Sequence, residues 1–214
     1  GHITSLTKNI TVVGSHGKTT TTSLISGIFS KTKLDPTIIN GGVINSLDNS
    51  AKLGKSKWSI LELDESDGSF IKVLPTYSII TNIDREHMDY YKSMDNLFRL
   101  FQEFIGKVPS FGKSFICLDD KNNKKLIDKI KFKNFYTYGT NKKSQFQIKN
   151  IYQSKSYSKF DLNIRLQSKK NTLIKNIKIP LIGLHNIRNA TAAVAVSWII
   201  GISKDIIKKG LNEF

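Results

Sequence analysis

Thr11-Val12-Val13-Gly14-Ser15-His16-Gly17-Lys18-Thr19-Thr20 is the stretch that most limits how this chain can fold. A short β-branched run ends in a glycine-rich turn, and a helix is expected to open directly after Lys18. Gly14 and Gly17 let the backbone bend so that successive N–H groups face one concavity. The helix start adds its unpaired amides and the positive end of its dipole. Strand, turn and helix in that order make a phosphate cradle. Lys18 can reach terminal phosphates, and the Thr19 hydroxyl can bind a phosphate-held magnesium ion. The spacing is shorter than the usual P-loop, because only Ser15 and His16 separate the two glycines. The same residues also read, with no ligand at all, as a capped helix start.

The rest of the chain supplies the context such a turn requires. Leu24, Ile25, Ile28 and Phe29 form a helical stripe over residues 18–33, which Asp35-Pro36 breaks. Thr37-Ile38-Ile39 reads as the next strand, and Gly41-Gly42 as a flexible joint before a polar stretch through Lys57. Trp58 to Leu63 and Tyr77 to Asn82 read as strands, and Leu97, Leu100, Phe101, Phe104 and Ile105 as one face of an amphipathic helix. Phe115 to Leu118 and Asn134 to Tyr138 are further strands around a lysine-rich helix near Lys124 to Ile130. Strands alternating with helices predict an α/β fold: a mostly parallel P-loop sheet with helices on both faces. From about residue 144 the pattern becomes period-two alternation over Gln145–Tyr152, Lys159–Leu166 and Thr172–Ile179. This predicts a small antiparallel β-subdomain at about 144–180, packed on the main sheet. A helix over Asn186–Ile200 and a last one capped by Ser203 complete the chain.

Ligands in such sheets bind beyond the carboxyl ends of the strands. Three polar clusters directly follow apolar strands: the Gly14 turn, Glu62-Leu63-Asp64-Glu65-Ser66-Asp67, and Asp84-Arg85-Glu86-His87-Met88-Asp89. All three are expected on one rim. Glu62 is placed to share a magnesium ion with Thr19, since that ion takes carboxylate, phosphate and water oxygens. A solvated strand-end carboxylate is the plainer reading of Glu62. Glu86 and Asp89 would favour the charged form of His87 if they lie close in space, and a structural histidine is the alternative. Asp64, Glu65 and Asp67 read either as substrate-orienting groups or as an acidic helix start.

Composition restricts the function classes. At 214 residues with 39% hydrophobic and 10% aromatic side chains, the chain has enough apolar content for a sizeable core. Cys117 is the only cysteine, so no intramolecular disulfide is possible, and a reducing, cytoplasmic setting is expected. Its apolar strand context predicts a buried, inert thiol. The longest apolar run, Ala192 to Ile202, is shorter than the ~20 residues of a membrane span, and no signal peptide opens the chain. Gly1-His2 reads as the remnant of a cleaved tag. The net charge of +16 is concentrated in residues 121–178, which hold 16 basic against 2 acidic residues. A nucleic-acid partner is one explanation. Only four of the 33 basic residues are arginine, and the favoured reading is a lysine-biased, solvated surface.

Four motifs carry a family resemblance. Gly14-Ser15-His16-Gly17-Lys18-Thr19-Thr20-Thr21-Thr22 resembles the ATP loop of the Mur ligases, in particular the branch that adds L-alanine to UDP-N-acetylmuramate. Glu62 to Phe70 is similar to that branch's acidic motif, and Thr81 to Asp89 to its histidine motif. Gly183-Leu184-His185-Asn186-Ile187-Arg188-Asn189-Ala190 is similar to its adenine-side motif. The resemblance implies ATP and Mg2+ as cofactors, held by Gly14, Ser15, His16, Gly17, Lys18, Thr19 and Thr20. Lys18 would hold the β- and γ-phosphates, Thr19 and Glu62 one metal ion, and Glu62 with His87 a second. Lys18, Glu62 and His87 would be the catalytic set, and His185, Asn186 and Asn189 would lie near the adenine. His185-Asn186 also reads as a helix cap.

The implied reaction is amide formation through an acyl phosphate, with UDP-N-acetylmuramate and L-alanine as substrates in a longer enzyme. The chain would be the family's central ATPase domain, its N-terminal UDP-binding and C-terminal ligase domains lying outside residues 1–214. Alone it would bind Mg-ATP weakly and not ligate. Two departures bear on the branch. Ser15 stands where the family more often has threonine. The helix from Ser93 to Ile105 lacks the lysine that several sister ligases carbamylate, which favours the alanine-adding branch. Rival readings are a ligase that attaches a whole peptide to the same sugar nucleotide, a nucleotide-sensing module, and a basic nucleic-acid-binding P-loop module.

Overall fold

The β-branched and apolar runs assemble into one ten-stranded sheet in a computed structural model that describes residues 8–44, 49–131, 134–167 and 170–214. In chain order the strands are β1 (Lys8–Val13), β2 (Thr37–Ile44), β3 (Asn49–Lys52), β4 (Trp58–Glu62), β5 (Tyr77–Ile80), β6 (Lys113–Cys117), β7 (Phe135–Gly139), β8 (Phe146–Gln153), β9 (Ser158–Ile164) and β10 (Thr172–Ile179). The helices are α1 (Lys18–Phe29), α2 (Met88–Tyr91), α3 (Met94–Gly106), α4 (Lys121–Lys129), α5 (Leu184–Ile200) and α6 (Lys204–Asn212). Across the sheet the order is β10-β9-β8-β7-β6-β5-β1-β4-β2-β3.

Side chains alternate across a strand, and here both faces are apolar. Ile10 and Val12 join one core with Leu24, Ile25 and Ile28 of α1 and the alanine-rich α5, whereas Val13 joins a second core with Phe101, Phe104 and Ile105 of α3. Ile79 and Ile80 divide in the same way, as do Phe115 and Ile116. This is the doubly covered parallel sheet that the uninterrupted apolar runs imply. Helix α3 opens on Ser93, whose hydroxyl accepts from the Asn96 N–H at 3.2 Å.

Three expectations are corrected. The antiparallel strands β8, β9 and β10 do not pack on the main sheet but continue it, because β8 pairs with β7 in parallel (Tyr138 with Phe146, Gly139 with Gln147). Gly41-Gly42 is not a joint but part of β2, and the polar stretch after it contains β3, which pairs antiparallel with β2. Helix α1 stops at Phe29 rather than near residue 33. There Ser30, Lys31 and Thr32 turn back on the carbonyls of Ser26, Ile28 and Phe29.

Strand β1 lies between β4 and β5, parallel to both. The carboxyl ends of these three adjacent strands are Val13, Glu62 and Ile80, so the three polar clusters do emerge side by side on one rim. No described helix is long and apolar enough to cross a membrane.

Candidate functional site

The turn after β1 is built for close approach. Gly14 and Gly17 have φ of +132° and +82°, a region that side chains disfavour. A Cβ on Gly14 would lie 2.7 Å from the Asn82 carbonyl oxygen, and one on Gly17 would lie 2.7 Å from Asn189 Oδ1. Residues after β5 hold the turn in shape. The Ser15 N–H donates to the Asn82 carbonyl at 3.1 Å, the His16 N–H to Asn82 Oδ1 at 2.8 Å, and Asn82 Nδ2 to the His16 carbonyl at 2.8 Å. Ser15 Oγ accepts from the Asp84 N–H at 2.8 Å. The His16 ring is exposed and lies 3.1 Å from Asp84 Oδ2 and 3.6 Å from Glu86 Oε1.

Lys18 opens α1 and folds back over the turn. Its ammonium donates to the Gly14 carbonyl at 2.7 Å and to Glu65 Oε2 at 2.8 Å. Glu65 is nearly fully buried, and its second oxygen has no hydrogen-bond partner. Thr19 Oγ1 donates to Glu62 Oε1 at 3.0 Å, and Glu62 Oε2 accepts the Gly41 N–H at 2.8 Å. A strand-end carboxylate is thus turned onto the first turn of α1, as the spacing anticipates.

The histidine cluster meets the acidic one. His87 caps α2 with φ of 55°, a strained value for a residue with a Cβ. His87, Glu86 and Glu65 each offer a ligand atom, all within 4.8 Å of one another. The Tyr91 hydroxyl donates to the Glu65 carbonyl, tying α2 to the acidic loop. Desolvation, then the Glu65 charge, pushes the Tyr91 phenol well above its usual range. The carboxylates gathered with His87 are therefore Glu65 and Glu86, while Glu62 faces Thr19.

Asp64 and Asp67 shape the loop: Asp64 accepts from the Ser66 N–H and hydroxyl, and Asp67 from the Ser69 N–H. The Ser66 hydroxyl beside Asp64 holds its carboxyl below the ordinary carboxylate value.

Helix α5 brings the last candidates to the same rim. His185 and Asn189 line two adjoining clefts. One, of about 440 Å3, is also bounded by Gly17, Thr19, Thr20 and Asn186. The other, of about 320 Å3, is also bounded by Asn82, Asp120, Tyr138 and Arg188. Asn186 Nδ2 donates to the Ile182 carbonyl at 2.8 Å, so it fastens the entry to α5. The N-cap is Gly183, which has no capping side chain, so neither His185 nor Asn186 is the cap.

The donor set suits a nucleotide with a hard divalent cation. The turn is a cradle that any Cβ would fill, a hydroxyl and a carboxylate oxygen stand 3.0 Å apart at Thr19 and Glu62, and an unpartnered buried oxygen remains on Glu65. Sequence reasoning missed Gly41, Asn82 and Tyr91 as parts of the site. Only the bare Gly41-Gly42 pair signalled the first, since a Cβ on Gly41 would lie 2.6 Å from Glu62 Oε1.

Comparison with known proteins follows the same residues. The sequence profile of the Mur ligase middle domain matches residues 12–197. A UDP-N-acetylmuramate–L-alanine ligase from Pelagibacter ubique (strain HTCC1062) is 71% identical over 213 residues, covering 100% of this chain and 46% of that protein. The enzyme of the same name from Brucella ovis is 40% identical over 205 residues, covering 96% of this chain and 44% of its own length. The chain thus spans under half the length of these relatives. Among solved structures, a UDP-N-acetylmuramate-alanine ligase from Thermotoga maritima superposes with a TM-score of 0.81 at 24% identity, over 97% of this chain and 45% of that one. A UDP-N-acetylmuramate:L-alanyl-γ-D-glutamyl-meso-diaminopimelate ligase from Neisseria meningitidis also gives 0.81, at 20% identity, over 99% and 67%. These two likenesses speak to the fold.

Proposed function

The chain belongs to the Mur ligase family, through its middle domain, and from that premise we propose that it is the Mg-ATP-binding domain of a UDP-N-acetylmuramate–L-alanine ligase. The observation that carries this reading is the Thr19–Glu62 contact at the mouth of the Gly14–Gly17 turn. A hydroxyl beside a carboxylate at the mouth of such a turn is the pair of protein ligands that a phosphate-bound magnesium ion would take. The 71% identity to a ligase of that name supports the alanine-adding reaction over the peptide-attaching one. The same reading makes residues 1–214 one domain of a longer cytoplasmic enzyme, in keeping with a single, buried free thiol.

In this reading the turn amides and Lys18 neutralise the phosphate oxygens, and Lys18 exchanges its Glu65 contact for them. Thr19 and Glu62 would hold one Mg2+, and His87 with Glu65 and Glu86 would hold a second cation. Bound there, the metal supplies charge neutralisation for phosphoryl transfer. His185, Asn186 and Asn189 receive the base end along the clefts beside α5. A muramoyl carboxylate oxygen attacks the terminal phosphorus and ADP leaves. The L-alanine amine then attacks the acyl carbon, giving up a proton as phosphate leaves and the amide forms. The chain's own share is positioning and charge balance.

The test is phosphate release by the complete gene product that carries this chain. It should require ATP, UDP-N-acetylmuramate and L-alanine together, and Lys18→Ala or Glu62→Ala should lower kcat about 100-fold or more. Turnover with a peptide in place of L-alanine, or release indifferent to the sugar nucleotide, would overturn it. The 214 residues alone should bind Mg-ATP weakly without ligating.

A further inference from the structure

Asp119, at the carboxyl end of β6, lies outside every motif considered so far, yet its side chain is 5% exposed and fully engaged. Its Oδ2 accepts from the Thr140 N–H at 2.9 Å, the Thr140 hydroxyl at 3.0 Å and Arg188 Nε at 2.8 Å, and its Oδ1 accepts from the Asn141 N–H at 3.0 Å. One carboxylate thus joins three segments: the end of β6, the turn after β7, and the second turn of α5.

The third of these faces the candidate site. Residues three and four apart share a helix face, so Arg188 lies on the same side of α5 as His185 and next to Asn189. Asn189 is buried against Gly17, with its Oδ1 2.7 Å from where a Cβ on Gly17 would stand. The start of α5 lacks a capping side chain; Asn186 fastens its entry and the buried Ile187 and Ala190 seat it on the sheet, while the Asp119–Arg188 pair ties its second turn to the strand ends. A buried ion pair contributes little net stability compared with an apolar substitute, and here the Asp119 carboxylate is buried while Arg188 is 34% exposed. Asp119 has four donors, and Arg188 is the one among them that belongs to α5.

We propose that Asp119 is a positioning residue for nucleotide binding: through Arg188 it sets the roll of α5 that seats Asn189 on the Gly17 turn. The inference rests on the reading of that turn as the Mg-ATP site. Asp119 and Arg188 also line the cleft of about 320 Å3 beside α5, and the effect proposed for them passes through Asn189.

The test is a double-mutant cycle on Mg-ATP affinity, measured by equilibrium titration of the 214-residue chain, with thermal unfolding followed in parallel. Arg188→Met keeps the aliphatic stem and removes the guanidinium, whereas Asp119→Asn keeps the shape and removes the charge. Each should weaken Mg-ATP about tenfold in the unsubstituted background and change it little in an Asn189→Ala background, because coupled residues are non-additive. The partly exposed Arg188 carries the test if Asp119→Asn proves unstable. Unchanged Kd with lowered thermal stability, or a full additional loss in the Asn189→Ala background, overturns the inference alone. Failure of the unsubstituted chain to bind Mg-ATP overturns both the inference and the reading beneath it.

Discussion

Cys117 shows how far one residue's context determines its chemistry. It ends β6 at 3% exposure, and burial pushes its thiol up to about 11. The thiolate is the reactive form, so at pH 8 almost none is present in the folded protein, whereas an unfolded chain titrates near 8.5. Alkylation of Cys117 by iodoacetamide at pH 8 should therefore be at least about 100-fold slower in the folded chain than in denaturant. Equal rates would show the strand end to be open. The sign of the linkage follows: the folded state keeps its proton longer, so this group's contribution to stability is present below about 8.5 and is lost as the pH rises through about 11. Asp119 titrates in the opposite direction. Burial alone would raise its carboxyl, but the Thr140 N–H, Arg188 and the Asn141 N–H together hold it below the ordinary carboxylate value. At this scale the sequence supports the inert thiol well, because an apolar strand pattern is local. It does not reveal Asp119, whose donors come from residues 21 to 69 positions away.

The element that matters most is the β1–turn–α1 unit, and its glycines allow a direct check. Gly17→Ala forces a Cβ into a left-handed backbone conformation, at about 1–2 kcal/mol, and drives it against the Asn189 amide. The variant should remain folded but lose most of its Mg-ATP affinity. Measured Kd within about twofold of the unsubstituted chain would show that the turn is not the binding element. Elements of this kind are legible from sequence because a β-branched run, a glycine turn and an apolar helical stripe are all short-range signals. Glu62 was legible for the same reason, as the last residue of a strand running beside β1. What sequence leaves hidden depends on register between distant segments. Gly41 looks like a flexible joint until β2 pairs beside β4 and presents its N–H to Glu62. Glu65 is one acidic residue among several until the loop turns it inward onto Lys18 while Asp64 and Asp67 serve local turns. The β8–β10 strands were legible as antiparallel, but their attachment through a two-residue parallel pairing with β7 was not.

Across the whole molecule, one continuous sheet presents its candidate site inside the sheet, beyond the end of β1, and its lysine-rich strands at one edge. Edge strand β10 exposes Lys175 and Lys178, a pattern that discourages pairing with a second chain. Part of the basic surplus of residues 121–178 lies on this edge, where Lys175 and Lys178 are exposed. The central claim is that Lys18, Thr19 and Glu62 form one site for a nucleotide and its magnesium ion. It is tested most directly by titrating the chain with ATP in the presence of Mg2+ and of a chelator, for the unsubstituted protein and for Glu62→Gln. The account predicts that Mg2+ tightens ATP binding by about tenfold or more in the unsubstituted chain, and that Glu62→Gln abolishes this gain while leaving chelator-level binding in place. An equal magnesium effect in both proteins, or no ATP binding by the unsubstituted chain, would contradict it.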